Sequence, residues 1–117
     1  RLLLVDDAPE VREALRYALE DEADLVVIGE AGDGLEAIAR AAELAPDAVI
    51  LDIELPRLDG YAVARSLKRS AAPPVIVFLS VHSAAAGGDG FAEKGAGWPT
   101  LLAELRRALA GRPPSSP

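Results

Sequence analysis

Four short apolar runs each stop at a residue that carries chemistry, and amphipathic helical stretches separate them. Leu2–Val5 ends in Asp6-Asp7, Ala48–Leu51 in Asp52, Val75–Leu79 in Ser80, and Gly90–Glu93 leads into Lys94. Val/Ile/Leu runs alternating with helical periodicity read as βαβ units around a parallel sheet. Every strand of such a sheet points the same way. Residues just past the strand ends therefore converge on one edge, where open α/β sheets bind their ligands. Carboxylates, a hydroxyl and an amine far apart in the chain are expected in one cleft.

The first strand is read as Leu2–Asp6. Pro9 and Glu10 then open a helix capped by Asp7 or Ala8. Val11, Leu15 and Leu19 recur every four residues, while Arg12, Glu13, Arg16 and Glu20 face away. Leu25–Gly29 reads as a second strand. Gly32-Asp33-Gly34 reads as a turn; the wider glycine cluster Gly29–Gly34 hints at a phosphate cradle, but no Lys-Ser/Thr follows it, so it too is read as a turn. Leu35, Ile38, Ala39 and Ala42 form the expected inner face of a second helix that ends near Ala45-Pro46. Asp47–Asp52 follows as the strand with the most buried character, Ile53–Gly60 as a loop and Tyr61–Ser70 as a third helix. Val75–Ser80 is the fourth strand, and Thr100–Ala110 is a last helix with Leu102, Leu105 and Leu109 in one stripe. Trp98-Pro99 starts and packs that helix. Arg106-Arg107 reads as a solvated face, or as a patch for an acidic partner. One stretch resists this scheme. Between His82 and Gly90 the chain is too short and glycine-rich for a full helix, although a parallel crossover normally takes a dozen or more residues. It reads as a helix reduced to a turn, or as a segment from which residues are missing.

With 117 residues the chain is expected to be one domain with a proper apolar core. Cysteine is absent, so disulfides and thiolate metal sites are excluded. The net charge of −7, from 12 Lys+Arg against 19 Asp+Glu, argues against nucleic-acid binding by this chain itself. No apolar stretch approaches bilayer-spanning length, and the cytoplasm is the expected compartment. The Pro/Ser-rich end, residues 111–117, reads as the start of a linker, with more protein expected beyond it.

Asp52 at a strand end has several readings: nucleophile, metal ligand, helix cap or turn residue. Asp6-Asp7 is harder to explain structurally, because adjacent carboxylates repel and a cap needs only one. Crowded carboxylates are stabilised by a divalent cation, and hard oxygen ligands without a His or Cys cluster point to Mg²⁺. A carboxylate can accept a phosphoryl group when the developing charge is neutralised from several sides. Mg²⁺ would supply one side, Lys94 another, and the Ser80 hydroxyl a hydrogen bond.

The runs Leu3–Asp7, Pro46–Gly60 and Gly90–Lys94 resemble bacterial response-regulator receiver domains of the CheY-like kind, over nearly the whole chain. The segments Val26–Gly34 and Phe78–His82 look most like the NarL/LuxR-like subfamily. The resemblance implies a flavodoxin-like, doubly wound α/β fold with a five-stranded parallel sheet of order 2-1-3-4-5 and a shortened fourth helix. It implies a receiver over residues 1–110, with a DNA-binding output domain outside this chain. By the same resemblance, Asp52 accepts a phosphoryl group from a phosphohistidine of a sensor histidine kinase. Asp7, Asp52 and the backbone carbonyl of Glu54 bind Mg²⁺ directly, and Asp6 acts through a metal-bound water. Ser80 and Lys94 contact the phosphoryl oxygens, and as the switch Ser80 is drawn inward and the ring of Phe91 rotates in behind it. A homodimer through the first and last helices or the fourth-crossover surface is a further implication. Glu54 and His82 flank the path of attacking water, or are plain loop residues. Gly95, where many receivers carry proline, and Val81, bulkier than the usual alanine, depart from the pattern. Two other classes compete with this reading. A haloacid-dehalogenase-type phosphatase uses similar groups, but Asp52 is mid-chain and Asp52-Ile53-Glu54-Leu55 departs from its motif. A phosphorylation-independent interaction module is supported by the short crossover alone.

Overall fold

Apolar side chains alternate along the strands and divide the core in two. The computed structural model describes residues 1–80, 88–95 and 97–111. Its strands β1 (Leu2–Val5), β2 (Val27–Ala31), β3 (Ala48–Asp52), β4 (Val75–Ser80) and β5 (Gly90–Glu93) form one sheet in the order β2-β1-β3-β4-β5, every pair parallel. Successive strand residues point to opposite faces. Leu2, Leu4, Ile50, Val77 and Leu79 enter one core, and Leu3, Val5, Leu51, Ile76 and Phe78 the other. Both faces are covered, as all-parallel sheets require. Helices α1 (Pro9–Glu20) and α4 (Trp98–Ala110) supply Leu15, Leu19, Leu101 and Leu105 to the first core. Helices α2 (Gly34–Leu44) and α3 (Gly60–Lys68) supply Ala37, Ala41, Val63 and Leu67 to the second.

Several local readings need correction. The second strand lies two residues later than expected. Leu25 is buried ahead of it, while Val26 is 57% exposed. Glu30 hid this strand: a carboxylate in a ladder looks like a loop residue until Arg12 and Arg16 are seen to pair with it. Gly29 belongs to the same ladder, so only Gly32-Asp33 turns the chain. The buried face of α2 is Gly34, Ala37 and Ala41; Leu35, Ala39 and Ala42 are exposed, and Ile38 is half-buried. Alanines carry too little hydrophobic contrast to mark a face. The Asp33 side chain sets the helix start by accepting from Glu36 N–H at 2.8 Å. Along α4 the buried residues are Leu101, Leu105 and Ala108, with Leu102 and Leu109 half-buried. Ala8 is the N-cap of α1 and makes no side-chain cap bond.

Residues 81–89 connect β4 to β5, and 81–87 lie outside the described residues, as do the readings placed on Val81 and His82. Among the described residues four helices accompany five strands, consistent with a shortened fourth helix. No described helix is long and apolar enough to cross a membrane.

Candidate functional site

Strand register brings the chemistry together. Val5 is level with Leu51, Asp52 with Leu79, and Ser80 with Glu93. The residues that follow these pairs therefore share one edge of the sheet. Asp6 is fully buried there, Asp7 is exposed, Asp52 is 3% exposed and Ser80 is buried. Backbone continuity hangs Lys94 on the fourth strand: its N–H donates to the Ser80 carbonyl at 2.6 Å.

The Lys94 ammonium joins two carboxylates. Its Nζ donates to Asp52 Oδ2 at 3.2 Å and lies 2.9 Å from Asp6 Oδ2. The second contact is an ion pair without hydrogen-bond alignment, so Asp6 Oδ2 stays buried with no aligned donor. The other oxygens are taken up locally. Asp6 Oδ1 accepts from Ala8 N–H at 2.9 Å, and Asp52 Oδ1 from Glu54 N–H at 3.1 Å. Burial pushes the Asp52 carboxyl above its usual range and the Asp6 charge adds to this, against the pull of Glu54 N–H and Lys94. Burial works against the Lys94 ammonium, yet Asp6 and Asp52 together hold its pKa above the ordinary lysine value.

This geometry suits a divalent cation. Asp6, Asp7 and Asp52 each offer a carboxylate oxygen, and the three oxygens lie within 4.8 Å of one another. The donor set is hard oxygen, as Mg²⁺ prefers. The orphaned Asp6 Oδ2 is a buried acceptor in need of positive charge, which one ammonium meets only in part. Glu54 touches the cluster through its backbone N–H, the donor to Asp52 Oδ1.

The remaining expected residues fall around this centre. Phe91 is level with Phe78 across the ladder and half-buried, and its N–H donates to Glu104 Oε1 at 3.1 Å. The Tyr61 ring packs on Phe78 with centroids 5.3 Å apart. Trp98 opens α4 behind Gly97 and, with Val11, Leu79, Lys94 and Leu101, lines a cavity of about 400 Å³ beside the site. Arg106 and Arg107 are engaged within the chain, Arg106 with Glu22 and Asp24 and Arg107 with Glu104.

Two residues escaped the sequence reading. Arg12, expected to face away, donates from Nη1 to the Asp6 carbonyl at 2.6 Å. Gly60, which begins α3, lies against the site's backbone: an added Cβ would fall 2.4 Å from the Asp52 carbonyl oxygen. Its N–H closes the Ile53–Gly60 loop on the Ile53 carbonyl at 2.8 Å. The Asp59-Gly60 pair signalled a turn, but nothing in the sequence signalled Arg12.

The family description "Response regulator receiver domain" matches residues 2–97. The protein-glutamate methylesterase/protein-glutamine glutaminase 5 of Myxococcus xanthus is 46% identical over 80 residues, 68% of this chain and 23% of that protein. The uncharacterized transcriptional regulatory protein YxjL of Bacillus subtilis is 39% identical over 80 residues, 68% of this chain and 37% of that protein. The chain thus spans between about a quarter and two fifths of these relatives' length. Among solved structures, the signal receiver domain of the response regulator NarL from Mycobacterium tuberculosis superposes with a TM-score of 0.87 at 28% identity, covering 96% of this chain and 97% of that one. NarL agrees with the subfamily resemblance, whereas the methylesterase class was not anticipated from the sequence.

Proposed function

The chain belongs to the response regulator receiver domain family, and from that premise we propose that it is a phosphoryl-accepting switch acting through Asp52. A carboxylate oxygen of Asp52 attacks the phosphorus of a phosphohistidine on a sensor histidine kinase. The phosphorus–nitrogen bond breaks, the imidazole leaves with the electron pair and takes up a proton, and an aspartyl phosphate remains. Lys94, already 3.2 Å from Asp52, meets the oxygen that gains charge, and the Ser80 hydroxyl donates to a second one. Asp6, Asp7, Asp52 and the Glu54 carbonyl would hold Mg²⁺, which when bound supplies positive charge opposite the lysine. Burial of Asp52 keeps bulk water from competing with these groups. Movement of Ser80 and Phe91 then passes the change to the β4–β5 surface. The haloacid-dehalogenase reading is set aside, because the chain belongs to another family.

The observation that carries this reading is the buried Asp52 carboxylate held by Lys94, with Asp6 Oδ2 buried against the same ammonium and without a hydrogen bond. Its test is the intact mass after incubation with a small acyl-phosphate donor. One added phosphoryl group, absent without Mg²⁺ and absent in Asp52→Ala, is the expected result. No addition to a folded, Mg²⁺-loaded protein would leave a silent scaffold that interacts independently of phosphorylation. We place the switch in the cytoplasm and assign it a DNA-binding output, supported by the likeness to a transcriptional regulatory protein. A methylesterase output is the second reading, carried by the Myxococcus relative. Retention on DNA against methyl-ester hydrolysis by the full-length protein separates the two.

A further inference from the structure

The Asp6–Asp7 peptide is held by a clasp outside the acidic cluster. The β1–β2 ladder ends at Val5 and Ala31, and Asp6 N–H takes the Ala31 carbonyl at 3.1 Å. The Asp6 carbonyl then turns to the Arg12 guanidinium, 2.6 Å away, rather than to a strand. The other arm of Arg12, Nε, donates to Glu30 Oε1 at 2.9 Å, and Arg16 occupies Glu30 Oε2 at 2.7 Å. Arg12 is largely buried, its side chain 19% exposed, so the clasp is shielded from competing water. Asp7, by contrast, is exposed and has no hydrogen bond or ion pair of its own among the described residues. Only its backbone directs where that side chain leaves the main chain. The peptide plane that fixes this backbone is the one Arg12 grips.

We infer that Arg12 is the positioning residue of the acidic cluster. By locking the Asp6–Asp7 peptide it sets the angle at which Asp7 faces a divalent cation shared with Asp52, and Glu30 on β2 holds the guanidinium in register. The inference rests on the reading of this cluster as a Mg²⁺ site. Residues that orient metal ligands from behind typically matter about 10–100-fold in metal affinity when removed. A planar fork can bond in two fixed directions at once, which a lysine ammonium cannot reproduce.

The sign of the effect separates positioning from its rivals. Arg12→Gln removes a positive charge near a cation site, so electrostatics alone would tighten Mg²⁺ binding. A merely structural role would alter thermal stability and leave the affinity of the folded protein unchanged. Positioning requires weaker binding despite the lost charge. Isothermal titration of Mg²⁺ into the full chain, with folding checked by circular dichroism, is the experiment. Arg12→Gln is expected to bind about tenfold more weakly. Arg12→Lys, which keeps the charge and is the better folding risk, is also expected to lose affinity. Arg16→Gln, which breaks only the outer Glu30 pair, is expected to stay within about twofold. Wild-type affinity in Arg12→Lys, or unchanged or tighter binding in Arg12→Gln, would overturn the inference. Absence of Mg²⁺ binding by the wild-type protein would instead overturn the metal reading, and the inference with it.

Discussion

Replacing Gly60 by alanine sets helix propensity against close packing on the backbone of Asp52. Propensity favours the change, since alanine in a helix is better than glycine by about 0.5–1 kcal/mol. Packing opposes it. The new Cβ would sit 2.4 Å from the Asp52 carbonyl oxygen and 2.6 Å from Ile53 Cα, where ordinary contact begins at 3.4 Å. Both obstacles are backbone, so no side chain can swing aside. The start of α3 must retreat by about 1 Å, which costs on the order of 1–3 kcal/mol as overpacking. The same retreat stretches the 2.8 Å bond from Gly60 N–H to the Ile53 carbonyl past hydrogen-bond range, a further loss of about 0.5–1.5 kcal/mol. Packing wins, leaving a net destabilisation of roughly 0.5–4 kcal/mol. At about 4 °C per kcal/mol for a domain of this size, the melting midpoint should fall by about 2–16 °C. Urea unfolding followed by circular dichroism gives the free energy directly. Gly95→Ala is the companion control. Its φ of +93° makes alanine strained, but nothing lies within 4 Å of the new Cβ, so it should lose stability through backbone strain and not through overpacking. A Gly60→Ala protein as stable as wild type, phosphorylated at the wild-type rate, would refute the close-approach argument.

Two further outcomes can be checked on the same samples. Asp59 caps α3 by accepting from Ala62 N–H at 2.9 Å, so Asp59→Ala should cost about 0.5–2 kcal/mol in urea unfolding. Burial raises the Glu30 carboxyl, but the Arg16 and Arg12 guanidiniums outweigh it and hold the pKa below the ordinary glutamate value. A carboxylate whose pKa is depressed in the folded state stabilises it above the unfolded pKa, and that contribution disappears as pH falls through the folded one. Glu30→Gln should therefore lower the melting midpoint at pH 7, with the gap closing in acid below the ordinary glutamate range. An equal gap at both pH values would count against the ion pairs.

Legibility from sequence followed the strength of the local signal. Leu2–Val5, Val75–Ser80 and Gly90–Glu93 were readable because unbroken apolar runs ending in polar residues have few other uses in a parallel sheet. The α2 face was misread because Ala37, Ala39, Ala41 and Ala42 are alike in hydrophobicity, and only the partner surface decides which of them is covered. β2 was misplaced because Glu30 is tolerated in a ladder only through arginines eighteen and fourteen residues earlier. Arg12 was assigned to the solvent side on helical periodicity, which carries no information about a long side chain reaching back over its own helix.

The kinds of groups at the sheet edge were determined by the sequence alone. Strands that run parallel must deliver their terminal residues to the same side, so Asp6, Asp7, Asp52, Ser80 and Lys94 had to meet whatever the details of packing. The tertiary structure decided how they meet. Asp6 and Asp7 are chemically identical neighbours, yet one is fully buried against Lys94 and the other is exposed. That difference arises from register with β2 and β3 and from the grip of Arg12. The strand register joins distant parts of the chain, and Arg12 reaches back to Asp6 over six residues once α1 has formed; no hydrophobic pattern encodes either.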